Sequence, residues 1–138
     1  MLWFVIIQLT YLICILIAFG GLALAFAIGV GVVSFLFLET VNYIEHYGLL
    51  RLKTSSGRYE RVQRIHSWNS NHVIGRIILY ELTRHSDHHY KSAKKYQVLE
   101  SHKESPILPF GYPTSMLLAM MPPLWFRVMN KRVPANMI

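Results

Sequence analysis

Three histidines, His85, His88 and His89, fall within the stretch ELTRHSDHHYKSAKK (Glu81–Lys95). On a helix, positions i, i+3 and i+4 share one face. Three charged imidazoles on one face would repel, so the rings are better kept neutral. A metal ion does this by taking a lone pair from each ring. Imidazole suits iron, zinc, copper and nickel alike, so the ring type does not choose the metal. For HxxHH alone, the plainer reading is a solvated helix face enriched in histidine.

A second group lies upstream in ETVNYIEHYGLL. Glu39, Asn42 and His46 are spaced by three and four, which puts them on one helix face. Glu39 stands near the end of an apolar run. An acid there either faces a polar interior and a partner or snorkels to the interface. A third group, HSWNSNH, sets His66 and His72 six apart, a spacing that fits neither a helix face nor strand alternation. For these two the expected role is structural, or hydrogen bonding to the rings that hold the metal. His102, in ESHKES, is expected to be exposed. A ring that gives one nitrogen to a metal needs an acceptor for its other N–H, and Glu39, Glu45 and Asp87 are the candidates.

The elements that must position these groups divide the chain sharply. Met1 to Leu38 contains no Asp, Glu, Lys, Arg or His, and all 14 Lys and Arg lie from Arg51 onward. The net charge of +7 therefore belongs to the second part. A membrane span needs about 20 apolar residues, so this run is nearly long enough for two. Gly20-Gly21 falls near its middle. The expected arrangement is a transmembrane hairpin over residues 1–45, with helices at about Leu2–Phe19 and Leu22–Tyr43 and a turn near 19–22. A signal peptide would need a charged start and a shorter apolar stretch.

The cationic flank (Arg51, Lys53, Arg58, Arg61, Arg64) places that side, and by symmetry Met1, in the cytoplasm. The single cysteine, Cys14, has no partner within the chain and fixes no redox compartment. Residues 46–138 are expected to form a cytoplasmic cap, helical in part and irregular elsewhere, that carries the histidines. The fold class is thus all-α and integral to a membrane. Ile74, Ile77, Ile78 and Leu82 recur at helical spacing, which predicts one helix from Val73 to about Tyr96. Pro106, Pro109, Gly111 and Pro113 mark irregular chain. SMLLAMMPPLWF is too short to span and reads as an interfacial or packed segment, with Trp125 near the headgroups.

Five stretches in order, NYIEHYGLLR (Asn42–Arg51), HSWNSNH (His66–His72), LTRHSDHH (Leu82–His89), LPFGYP (Leu108–Pro113) and PPLWFRVMNKRV (Pro122–Val133), resemble the C-terminal part of the membrane-bound alkane 1-monooxygenases. These form a branch of the histidine-rich membrane hydroxylases and desaturases. The resemblance covers roughly Glu39 to Val133. It implies a non-haem di-iron enzyme of the bacterial inner membrane, with its metal site on the cytoplasmic side. Such an enzyme converts an alkane to a primary alcohol with dioxygen and electrons from a rubredoxin.

In that family nine histidines hold two irons. The positions that match here are His46, His85, His88 and His89. The family's two earlier histidine boxes have no counterpart, and Thr83 stands where glutamine is common. The resemblance therefore implies a fragment or one half of a split enzyme, inactive alone, whose partners are the alkane, a rubredoxin, the bilayer and the N-terminal part of the same enzyme. Nothing points to nucleic acid. Rival readings are a xylene or fatty-acyl hydroxylase, a desaturase, or a non-catalytic membrane hairpin with a basic partner-binding domain.

Overall fold

The computed structural model describes residues 1–137. Among them the regular structure is helical, with two isolated β-bridges and no strand. The chain divides into two compact units, Met1–Glu39 and Thr40–Ile138. Helix α1 covers Leu2–His46, and its last turns belong to the second unit. Its composition makes it long and apolar enough to cross a membrane. Inside the first unit the helix breaks at Gly20, where φ 83 and ψ 179 fall in a region open essentially to glycine alone. Gln8, Tyr11 and Leu12 before the break, with Ala27, Ile28, Gly31, Val32 and Phe35 after it, line one shallow cavity of about 400 Å³.

In the second unit, α1 stops because Gly48 reverses the chain with φ +69. The turn returns Leu49 to a core shared with Ile44, Trp68, Leu108, Tyr112, Trp125 and Met129. A Cβ on Gly48 would lie 2.5 Å from Val133 Cγ2, so the position is closed both by backbone conformation and by space. Gly48→Ala is expected to destabilise this unit by about 2 kcal/mol or more, read as a lowered thermal midpoint.

The segment from His66 to Ser70 is the hub of the unit. All five residues are buried. The Trp68 backbone N–H donates to the Glu45 carbonyl and its indole N–H to the Tyr47 carbonyl, both at 2.8 Å, which ties the hub to the end of α1. Asn69 exchanges backbone bonds with Pro106 and Leu108 on its other side.

The single helix expected from Val73 to Tyr96 is instead two short ones, α2 (Val73–Ile78) and α3 (His85–Tyr90). Between them Tyr80 (φ 49) and Glu81 (φ 62) adopt left-handed backbone, which breaks the periodicity that the isoleucines suggest. A two-bond pair holds this reversal: Arg76 Nε donates to Glu81 Oε2 at 2.8 Å and Arg76 Nη2 to Oε1 at 2.7 Å. Helices α4 (Tyr112–Ala119) and α5 (Pro122–Met129) follow, each with a proline in its first turn. Trp125 is 1% exposed and sits in the core. Its neighbours are Tyr43 and Tyr47, at ring-centroid distances of 5.8 and 5.4 Å.

Candidate metal centre

His46 is the last residue of α1, and His85 and His89 lie one turn apart on α3. The hub positions both helix ends. It is bonded to α1 through Trp68, and the Asn69 side-chain oxygen accepts the Ser86 N–H at the start of α3 (2.9 Å). Ser86 Oγ, 2.8 Å from Ser105 Oγ, adds a second anchor. Residues far apart in sequence thereby present three imidazoles to one point.

The nitrogens converge. His85 Nε2 lies 3.3 Å from His46 Nε2 and 2.8 Å from His89 Nε2. One ligand atom from each of these three residues lies within 4.8 Å of the others. The backbone fixes which nitrogens hold protons. His46 Nδ1 is 3.3 Å from the His66 carbonyl, an acceptor only, so Nδ1 carries the proton and Nε2 the lone pair. His85 turns Nε2 into the cluster, toward His46, His89 and Glu45. Burial, and then the neighbouring rings of His89, His46 and His88, push His85 down to about 3, so it stays neutral. His89 is lowered by the same causes, burial first.

The 2.8 Å contact between His89 Nε2 and His85 Nε2 is satisfied by a proton on one of the two nitrogens or by a cation held between them. An ion bound at about 2.0–2.1 Å from imidazole nitrogens spaces those nitrogens by roughly 3.0–3.4 Å, close to what the triad shows. The donor set fits a first-row divalent metal and does not select among them.

The other candidates are placed as follows. His88 is half-buried beside the triad, its ring centroid 6.0 Å from that of His85 and 5.7 Å from that of His89. Glu45 is buried and reaches the cluster: its Oε2 is 3.2 Å from His85 Nε2. The Tyr112 hydroxyl donates to its Oε1 at 2.7 Å. Tyr112 is held well above the ordinary phenol range by burial and then by Glu45, so it remains a donor.

His66 supports the site through its backbone carbonyl. Its own ring accepts the Gln63 N–H on Nδ1 (3.0 Å) and turns Nε2 to Glu60 at 3.3 Å. His72 caps α2 and lines a different cavity with Val73, Ile74 and Phe110. Asn42 is exposed, as is Glu39, which belongs to the first unit.

Asp87 does not hold a ring of the triad. Its oxygens accept Lys94 Nζ at 2.6 Å, the Glu100 N–H at 3.0 Å and His102 Nε2 at 3.1 Å. His102, expected to be exposed, is therefore half-buried against Asp87. Sequence reasoning also missed Ser67, whose hydroxyl is 3.4 Å from His46 Nδ1, and both Asn69 and Tyr112. All three lie in stretches of the resemblance, but none is of a type that announces metal chemistry. A cavity of about 370 Å³ opens beside His46 and His89 and is bounded by Leu50, Arg51, Tyr59 and Val62.

Comparison with known proteins adds to this geometry. The family model described as fatty acid desaturase matches residues 1–128. Alkane 1-monooxygenase 2 of Pseudomonas aeruginosa is 45% identical over 135 residues, 98% of this chain and 36% of that protein. Alkane 1-monooxygenase of Acinetobacter baylyi is 52% identical over 95 residues, 69% of this chain and 23% of that protein. The hydroxylase component XylM of a xylene/toluene monooxygenase from Pseudomonas putida is 33% identical over 94 residues, 68% of this chain and 24% of that protein. The chain spans about a third of the length of the two Pseudomonas aeruginosa relatives, 36% and 35%.

Proposed function

The chain belongs to the fatty acid desaturase family, and from that premise we propose that it carries part of the metal centre of a membrane alkane hydroxylase. The observation that carries this reading is the convergence of His46, His85 and His89 through Nε2. His88, beside them, is the fourth histidine assigned to the centre. When bound, iron supplies the redox chemistry that puts one atom of dioxygen into a terminal C–H bond, the other atom leaving as water with two electrons and two protons. A rubredoxin is the proposed electron source, and a two-iron centre needs donors beyond the residues described.

The chain's own residues supply position and neutrality. His46 turns Nδ1 to the His66 carbonyl, and neutral His85 turns Nε2 to His46 and His89. Their Nε2 atoms then point inward without adding negative charge. The hub prevents either helix end from drifting, because each is bonded to buried backbone or side-chain groups. Residues 1–45 are read as a transmembrane hairpin with its turn near 19–22, supported by the glycine-only backbone at Gly20 and by the cavity lined from both sides of the break. The cationic stretch from Arg51 to Arg64 would face the cytoplasm of a bacterial inner membrane. An alkane enters the bilayer at about 0.8 kcal/mol per methylene, so a chain with an apolar membrane segment suits such a substrate.

The test is a chimera. The matching stretch of the Pseudomonas aeruginosa relative is replaced by this chain, and octane hydroxylation is measured in whole cells. Octanol is the expected product, with none above background when the chimera carries His46→Ala. Unchanged octanol formation by the His46→Ala chimera would contradict the reading. Xylene offered to the same cells distinguishes the aromatic alternative, and the higher identity to the alkane enzymes leads us to expect less product from it.

A further inference from the structure

We propose that Tyr112 is a positioning residue of the metal centre: its hydroxyl holds Glu45 so that the remaining carboxylate oxygen faces the converging histidine nitrogens. The inference rests on the metal-centre reading above and extends it to a residue 67 positions from Glu45 in sequence.

Tyr112 is 1% exposed and Glu45 4%, and the bond between them is 2.7 Å. An ionised or neutral carboxyl in such a place needs partners for both oxygens. Oε1 takes the Tyr112 hydroxyl. Oε2 lies 3.2 Å from His85 Nε2. That contact stands beside the Nε2 atoms of His46 and His89. A cation among these nitrogens, or a proton held on the carboxyl, satisfies the arrangement. Either one depends on Oε2 staying where it is.

Tyr112 is itself held firmly. It begins α4, where Pro113 fixes the first turn. Gly75 packs so closely that a Cβ there would lie 3.9 Å from Tyr112 Cβ and 3.3 Å from Thr83 Cγ2. A buried tyrosine hydroxyl needs an acceptor, and here that acceptor is a carboxylate. Here the hydroxyl reaches out of the core cluster to the one acid next to His46.

The experiment compares the wild-type chain in detergent with Tyr112→Phe, Glu45→Gln and the double variant, using Co(II) as the probe. Affinity and the visible ligand-field spectrum are read together with thermal midpoints. Losing a residue that orients a metal site typically costs about 10- to 100-fold in metal affinity. Tyr112→Phe is expected to weaken Co(II) binding at least about tenfold and to change its spectrum. The double variant should be no weaker than Glu45→Gln alone, because both act through one carboxylate.

A Tyr112→Phe chain with wild-type affinity and spectrum overturns the proposal and leaves the metal centre standing. Additive losses in the double variant, or a lowered midpoint with an unchanged Co(II) spectrum, also overturn it. They reduce Tyr112 to a packing residue. If the wild-type chain binds no Co(II), the metal-centre reading fails and this inference fails with it.

Discussion

His85→Ala abolishes stoichiometric Co(II) or Fe(II) binding by this chain and leaves its folded second unit nearly as stable as before. His85 is the centre of the triad, since its Nε2 is in contact with those of both His46 and His89. Removing it separates His46 on α1 from His88 and His89 on α3. Changes to residues that merely orient ligands cost about 10- to 100-fold in affinity, so loss of a ligand should cost at least about 100-fold. Stability should move little, because His85 is crowded by three other imidazole rings and by Glu45, and its removal relieves that crowding. Isothermal titration with metal and a thermal melt on the same sample separate the two effects. Wild-type affinity in His85→Ala would remove this ring from the site.

Asp87→Ala produces the opposite pattern: a large loss of stability first, and metal binding lost only as a consequence. The Asp87 side chain is 1% exposed and accepts from Lys94, the Glu100 N–H and His102, with Arg64 Nε 3.7 Å away. Burial pushes its carboxyl up, but Lys94, the Glu100 N–H and His102 together hold it below the usual range. It thus fastens α3 to the chain that follows.

Arg64 extends the fastening, with its guanidinium 4.3 Å from the Tyr90 ring centroid and Nη1 3.0 Å from Glu104. Removing one partner of such a network strands the others, at a cost of about 3 kcal/mol once the partly exposed lysine and histidine are discounted. For a unit of this size that lowers the thermal midpoint by very roughly 15 °C. A shift of only a degree or two would show that the network is solvated and contributes little.

The pairing of the variants follows from what sequence could and could not convey. The facing of His85 and His89 needs only local spacing, and the short helix α3 preserves it. The proximity of His46 to them is a tertiary fact. It depends on Trp68 and Asn69 bonding to α1 and α3, and neither residue has a spacing that signals such a role. The break at Gly20 was legible because two glycines interrupt an apolar run.

The break at Tyr80-Glu81 was hidden. The isoleucines before it keep helical period, and left-handed backbone at two residues other than glycine is stabilised by Arg76 reaching Glu81. Trp125 reads as an interfacial aromatic from composition, yet two tyrosines from the end of α1 pack on it and bury it. His102 and Tyr112 looked idle because their partners, Asp87 and Glu45, lie 15 and 67 residues away.

The most direct test of the central claim is X-ray absorption at the iron edge of the purified chain loaded with one equivalent of Fe(II). Three converging imidazoles should give outer-shell scattering from about three rings per iron, with nitrogens near 2.1 Å. Scattering from one ring or none, with oxygen filling the shell, would mean that His46, His85 and His89 do not share a metal, and the account would fail.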